Sequence, residues 1–168
     1  EGRDPEREAQ WLLQGVEQRS DDAAMLDVAA SALNACGAED DAIALLWAFV
    51  ERHGHEDAPP AYSLMGLLVQ RGDQAGVDRL AQHYQARVPV FALWCQAQMA
   101  HKLSDWPALE QASSALLALS PQSHGARNLL AMALMAMQRF QDAAAQYRHL
   151  TEVLEEPRSA HWDHMTAA

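Results

Sequence analysis

The sequence predicts an all-α fold of stacked helical hairpins, and three observations carry that prediction. Apolar residues recur at helical spacing along almost the whole chain, and no segment alternates apolar and polar for long enough to make a sheet. Turn-forming positions return at a near-constant interval: Gly37, Gly72, Ser104 and Gln138 are separated by 35, 32 and 34 residues. With 168 residues, 49% hydrophobic and 21% charged, the chain has enough apolar surface to fold and a length suited to one domain or one short solenoid. One hairpin cannot bury its own apolar face, whereas successive hairpins stacked at a fixed period bury a continuous core.

The elements follow in order. Asp4 precedes Pro5, a cap and a helix-initiating proline, and Trp11, Leu12 and Val16 then share a face, so a partial or capping helix is expected over 4–18. Asp21 or Asp22 opens the next helix, which runs to Ala35 and breaks at Cys36-Gly37-Ala38. A helix over 40–51 carries Ile43, Leu46, Trp47 and Val50 as its stripe, and the stretch 53–60 is the long interruption. Further helices are expected over 60–70, 74–86, 90–102, 106–118, 124–137, 140–154 and 160–167. Placing Gly37 and Gly72 at position 15 of a unit divides the chain into units 23–57, 58–89, 90–123 and 124–157, followed by a terminal helix over 159–168. Position 20 is then Ala42, Val77, Leu109 or Ala143, small or modest side chains that let two helices approach. The partial units at both edges predict a slice through a longer array.

Charge narrows the function classes. Against 12 Lys plus Arg stand 23 Asp plus Glu, a net charge of -11. One Lys, Lys102, and scattered Arg residues give no clustered cations for a phosphate backbone or an anionic lipid surface, so no nucleic-acid partner is expected. Residues 1–57 carry 14 acidic and 4 basic side chains, which puts nearly all the negative excess at the N-terminal end. No stretch approaches the 18 to 20 or so apolar residues of a membrane span, so no direct membrane insertion is expected, and no signal peptide opens the chain. Cys36 and Cys95 lie 59 residues apart in apolar, Ala-rich stretches, which predicts two buried free thiols ahead of a disulfide.

No dinucleotide, P-loop, zinc-protease or serine-hydrolase motif occurs. His161 with His164 and His53 with His55 are incomplete as metal sites, since no third ligand stands at a fixed spacing. Glu39, Asp40 and Asp41 crowd a helix start, where the dipole favours negative charge. No catalytic residue, metal or cofactor is therefore expected, and the chain is not expected to be an enzyme.

The repeat resembles the tetratricopeptide-repeat (TPR) family. In the unit 124–157, Leu130, Ala131, Leu134, Phe140, Ala143 and Tyr147 match the family's positions 7, 8, 11, 17, 20 and 24. The unit 90–123 keeps Ala97, Trp106 and Pro121; the unit 23–57 keeps Ala30, Leu33, Ala42, Leu46 and Phe49; the unit 58–89 is two residues short and has Gly76 inside its second helix. Phe140, Trp106, Trp47 and Trp11 are assigned to packing, with the Phe140 ring expected against the stripe 130–134. The resemblance implies a right-handed superhelix whose concave face, lined by first helices, holds a peptide or protein partner without a chemical step.

Carried onto this sequence, the family's groove positions give Asp27, Ser31 and Asn34 in the first unit, Tyr62, Gly66 and Gln70 in the second, Phe91, Trp94, Gln98, His101 and Lys102 in the third, and Asn128, Met132 and Met135 in the fourth. Aromatic and Met side chains supply anchor area and amides pair with a peptide backbone. The partner-binding set is thus Asp27, Asn34, Tyr62, Gln70, Trp94, Gln98, His101, Asn128, Met132 and Met135. Asp27 and Ser31 stand where a carboxylate-gripping subset of the family has Lys and Asn, so a neutral, basic or apolar partner is expected. Sparse Lys with frequent Ala and Arg points to a bacterial source, periplasmic or cytoplasmic. The expected role is a scaffold, as a segment of a secretion, envelope or polysaccharide-export protein, with an appended region of a multidomain enzyme or membrane exporter as the alternative.

Overall fold

A computed structural model describes residues 7, 10, 11, 13–15, 22–53 and 59–150. Helices run over Ala23–Ala35 (α1), Glu39–His53 (α2), Pro59–Arg71 (α3), Gln74–Gln85 (α4), Pro89–Leu103 (α5), Trp106–Leu119 (α6) and His124–Ala136 (α7), and residues 140–150 are helical. No strand occurs among the described residues. Residues 1–95 and 96–168 form two compact units that divide within α5.

Local chemistry accounts for the helix starts. The Asp22 carboxylate accepts from the backbone N–H of Ala24 and Met25, both at 3.1 Å, to cap α1. Asp73, Asp105 and Ser123 cap α4, α6 and α7 by accepting from Gly76, Ala108 and Ala126. Each such cap contributes about 1 kcal/mol. Acidic Glu39, Asp40 and Asp41 in the first turn of α2, with Arg52 and His53 in its last, align with the helix dipole. Pro59 and Pro89 each stand as the first residue of a helix, where a missing N–H costs nothing; the sequence had closed a unit at Pro89 and started the next helix at Val90.

One turn recurs at four places. Gly37, Gly72, Ser104 and Gln138 have φ of 82°, 76°, 57° and 62°. Their N–H groups donate to the carbonyls of Asn34, Val69, His101 and Met135, three residues back. The next N–H, on Ala38, Asp73, Asp105 and Arg139, donates to Leu33, Leu68, Ala100 and Leu134 at 2.8 to 2.9 Å. This pair of bonds is the Schellman closure of a helix C-terminus. The carbonyl of that same residue then accepts from Ala42, Val77, Leu109 or Ala143, the first bond of the following helix. Four buried side chains, each 0% exposed, result at those last positions. A Cβ on Gly76 would lie 2.6 Å from Asp73 Oδ2 and 2.8 Å from Leu68 Cδ2, so a larger residue there would have to shift the ends of those two side chains.

In the first unit α1 packs against α2 and α3, α2 against α3, and α3 against α4. Leu26, Leu33, Leu46, Leu64, Leu68 and Leu80 are wholly buried, each stabilising the fold by about 1.5 to 3 kcal/mol. Phe91 sits edge-on to both Tyr84 and Tyr62, with centroids 4.8 Å away in each case, and fastens the start of α5 onto α3 and α4. In the second unit α6 packs against α7, and Leu130, Leu134 and Ala143 form a cluster closed by Leu117 and Met137. Ser113 lies buried in α6 with no hydrogen-bond partner for its hydroxyl among the described residues.

Packing expectations are corrected at five residues. Phe140 is 58% exposed: it is the first residue of its helix, beside the turn, where the equivalent residues Glu39, Gln74 and Trp106 are also not buried. The seam it was expected to fill is closed by Ala143 and Met137. Trp11 is exposed, with the Arg7 guanidinium 5.5 Å from its ring centroid. Trp47 and Trp106 are half-buried; Arg79 lies 4.2 Å over the Trp47 ring and also pairs with Glu51. Both cysteines are free, and Cys95 is buried as expected, but Cys36 is half-buried because it stands at the open end of α1.

Candidate peptide-binding cleft

Two helices of the first unit present stripes of the same spacing. Asp27, Ala30, Ser31 and Asn34 follow one another along α1, and Ser63, Gly66, Leu67 and Gln70 along α3, every pair 36 residues apart. The Ser63 hydroxyl donates to Asp27 Oδ1, which fixes that register across the helix pair. Beyond this bond the stripes enclose an open cavity of about 300 Å³, lined by Ala30, Ser31, Asn34, Ser63, Gly66 and Gln70, with Leu46 and Leu67 as its apolar floor. The left-handed turns at Gly37 and Gly72 end both helices one residue beyond Asn34 and Gln70.

The structure thus brings Asn34 and Gln70 together and sets Asp27 at the edge of the same cleft. Tyr62 falls outside it. The turns ending α1 and α3 are 35 residues apart and the facing stripes 36, so α3 presents Ser63 where the family register expects Tyr62. Tyr62 remains exposed and packs edge-on to Phe91. Phe91, carried over as a groove residue, is only 2% exposed and belongs to the core, because Tyr84 and Tyr62 enclose it. Ser63 and Leu67 were missed. The signal for them was the spacing 63, 66, 67, 70, a duplicate of 27, 30, 31, 34 that family register alone does not expose.

The remaining candidates lie elsewhere. Trp94 is half-buried in the first unit; in the second, Gln98 and His101 are half-buried, and the His101 ring faces the Trp106 ring at 6.4 Å. Asn128 and Met132, four residues apart on α7, touch through Nδ2 and Sδ at 3.8 Å, and Met135 is exposed one turn on. No group of three or more His, Cys, Asp or Glu that could hold a metal forms among the described residues. His53 stacks on Phe49 at 4.7 Å; His55, His161 and His164 lie outside the described residues. Burial pushes the Cys95 thiol up to about 12, so it is no nucleophile at neutral pH. Among the described residues no helix is long and apolar enough to cross a membrane.

Helical hairpins closed by one recurrent turn, with small or modest buried residues five positions after the left-handed residue, define a TPR-like helical-repeat fold. That fold is shared with solved structures of MamA. One crystal structure of MamA matches with a TM-score of 0.66 at 16% identity, over 89% of this chain and 88% of that one. A double mutant of MamA RS-1 gives 0.65 at 14% identity, over 93% and 88%. MamA from Desulfovibrio magneticus RS-1, residue 41 to its end, gives 0.64 at 14% identity, over 90% and 86%. No protein-family model matches the sequence, and no curated protein matches it.

Proposed function

We propose that the chain is a non-catalytic interaction module that holds a peptide or protein segment along its first helices, with a division into TPR-like units 23–57, 58–89, 90–123 and 124–157. The observation that carries this reading is the cleft in which the Asn34 and Gln70 amides flank an apolar floor, since a primary amide offers both donor and acceptor to a peptide group. Neither amide makes a hydrogen bond to another described residue. Asn128, Met132 and Met135 on α7, and Trp94, Gln98 and His101 on α5, are further contact candidates of the same kind. The sparse Lys content disfavours nucleic acid as the partner. The same reading makes the chain a scaffold, as a segment of a larger bacterial secretion, envelope or polysaccharide-export protein, and the helical-repeat fold fits that role.

Selection from a displayed random-peptide library tests the reading. Selected peptides should bind the wild-type chain and lose affinity by about tenfold when Asn34→Ala and Gln70→Ala are combined, the effect of removing two buried backbone contacts. Failure to select any peptide, or binding that the double variant leaves intact while Gln82→Ala on α4 abolishes it, would show that the first helices are not the binding face.

A further inference from the structure

The cleft between α1 and α3 has a chemistry that chooses among peptides. Its volume of about 300 Å³ stands at the bottom of the range of roughly 300 to 1,000 Å³ for small-molecule sites. One side chain with its adjoining peptide groups fills such a space. The floor is apolar: Leu46 is wholly buried, Leu67 nearly so, and a Cβ placed on Gly66 would meet nothing within 4 Å, so the wall above them is open. None of the lining side chains is ionised.

Charge enters at one edge only. Asp27 lies one helical turn before Ser31, half-buried, with Oδ1 accepting from Ser63. No Lys, Arg or His pairs with it among the described residues, unlike Asp40 and Glu51, which are paired with Arg71 and Arg79. Four helical residues advance about 6 Å along α1, close to the rise of two residues of an extended chain, and residues two apart in such a chain point to the same side. A peptide lying along α1 can therefore set one side chain into the cavity and the side chain two positions away beside Asp27.

We propose that this cleft selects an extended segment bearing an aliphatic residue of Val, Leu, Ile or Met type with a Lys or Arg two positions from it. The aliphatic side chain fills the space over Leu46, Leu67 and Gly66. The Asn34 and Gln70 amides hold its backbone, and the cation pairs with Asp27. This rests on the peptide-binding reading above and adds a sequence preference to it.

An oriented library of decapeptides, with each residue type fixed in turn, tests the preference on the full chain. The expected result is enrichment of an aliphatic residue and of Lys or Arg two positions away. For the best peptide, Gly66→Phe should weaken binding by about tenfold or more by filling the cavity, as loss of a central anchor does. Circular dichroism should show its helices intact, since the added side chain starts in open space. Asp27→Asn should erase the Lys or Arg preference and its salt dependence while the aliphatic preference stays. Selected peptides that lack a cation, or that Gly66→Phe leaves unaffected, would overturn this assignment and leave the broader peptide reading standing. A library from which the wild-type chain selects nothing would overturn both.

Discussion

The stripe on α1 and the matching stretch of α7 stand at the same distances before the same turn, and they carry different chemistry. Asp27, Ser31 and Asn34 precede Gly37 by ten, six and three residues; Asn128, Met132 and Met135 precede Gln138 by the same intervals. In the first unit those side chains border an open cleft with a hydrogen-bonded edge. In the second, Asn128 Nδ2 donates to Met132 Sδ along a single helix, and Met135 stands out into solvent. The backbone bonds that close the turn are the same in both places. They depend on φ and on one buried residue five positions on, so the exposed face is free to vary while the scaffold stays constant.

The contrast can be broken most severely in the packing. Tyr84 is 1% exposed and lies against Phe91, whereas Phe140, an aromatic of similar size in the second unit, is 58% exposed. Tyr84→Ala should cost about 3 to 5 kcal/mol, as for other buried aromatics, and Phe140→Ala about 0.5 kcal/mol or less. Urea midpoints measure both, and equal losses would mean that Phe140 is buried after all.

A smaller effect tests whether the four turns are one device. Gly72→Ala places a Cβ at φ 76° and should destabilise by about 1 to 2 kcal/mol. Gln138, a non-glycine residue at φ 62°, already bears that cost, so Gln138→Gly should stabilise by about 0.5 to 1 kcal/mol after the backbone-entropy penalty of glycine. Opposite signs at the two turns are the expected outcome of thermal or urea unfolding; the same sign would separate them.

The smallest effect concerns the thiols, and it is read in reactivity. With the Cys95 thiol at about 12, only about one molecule in ten thousand is thiolate at pH 8. A thiol reagent at that pH should label Cys36 in the native protein and both cysteines after denaturation. The raised value also sets a sign for stability. Below about pH 7 Cys95 is protonated in both states and contributes no slope; from about pH 8 to about 12 the unfolded thiol ionises first, so stability falls as pH rises.

Much of this was legible in the sequence because hydrogen-bonded turns leave local marks. Gly37 and Gly72 announce turns, and the near-constant interval extends that reading to Ser104 and Gln138, which no propensity would single out; the left-handed backbone at all four is a finding of the structure. Asp22, Asp73, Asp105 and Ser123 are caps of the usual types. The site was legible only in part. The family register reaches Asn34 and Gln70, which line the cleft, whereas Ser63 lines it and Tyr62 does not, because a one-residue offset between two helices is set by how their side chains interlock and leaves no mark in either helix alone. Phe140 misled for a related reason: its type fits a core, while its position at a helix start faces away from the seam.

Chemical-shift mapping of the isotope-labelled chain with a library-selected peptide locates the binding face, because it reads both stripes in one experiment. The largest changes should fall on residues 27–34 and 63–70, the Asn34 and Gln70 side-chain amides included, with residues 128–135 changed less. Changes confined to 128–135, with the α1 and α3 stripes silent at saturating peptide, would contradict that placement of the binding face.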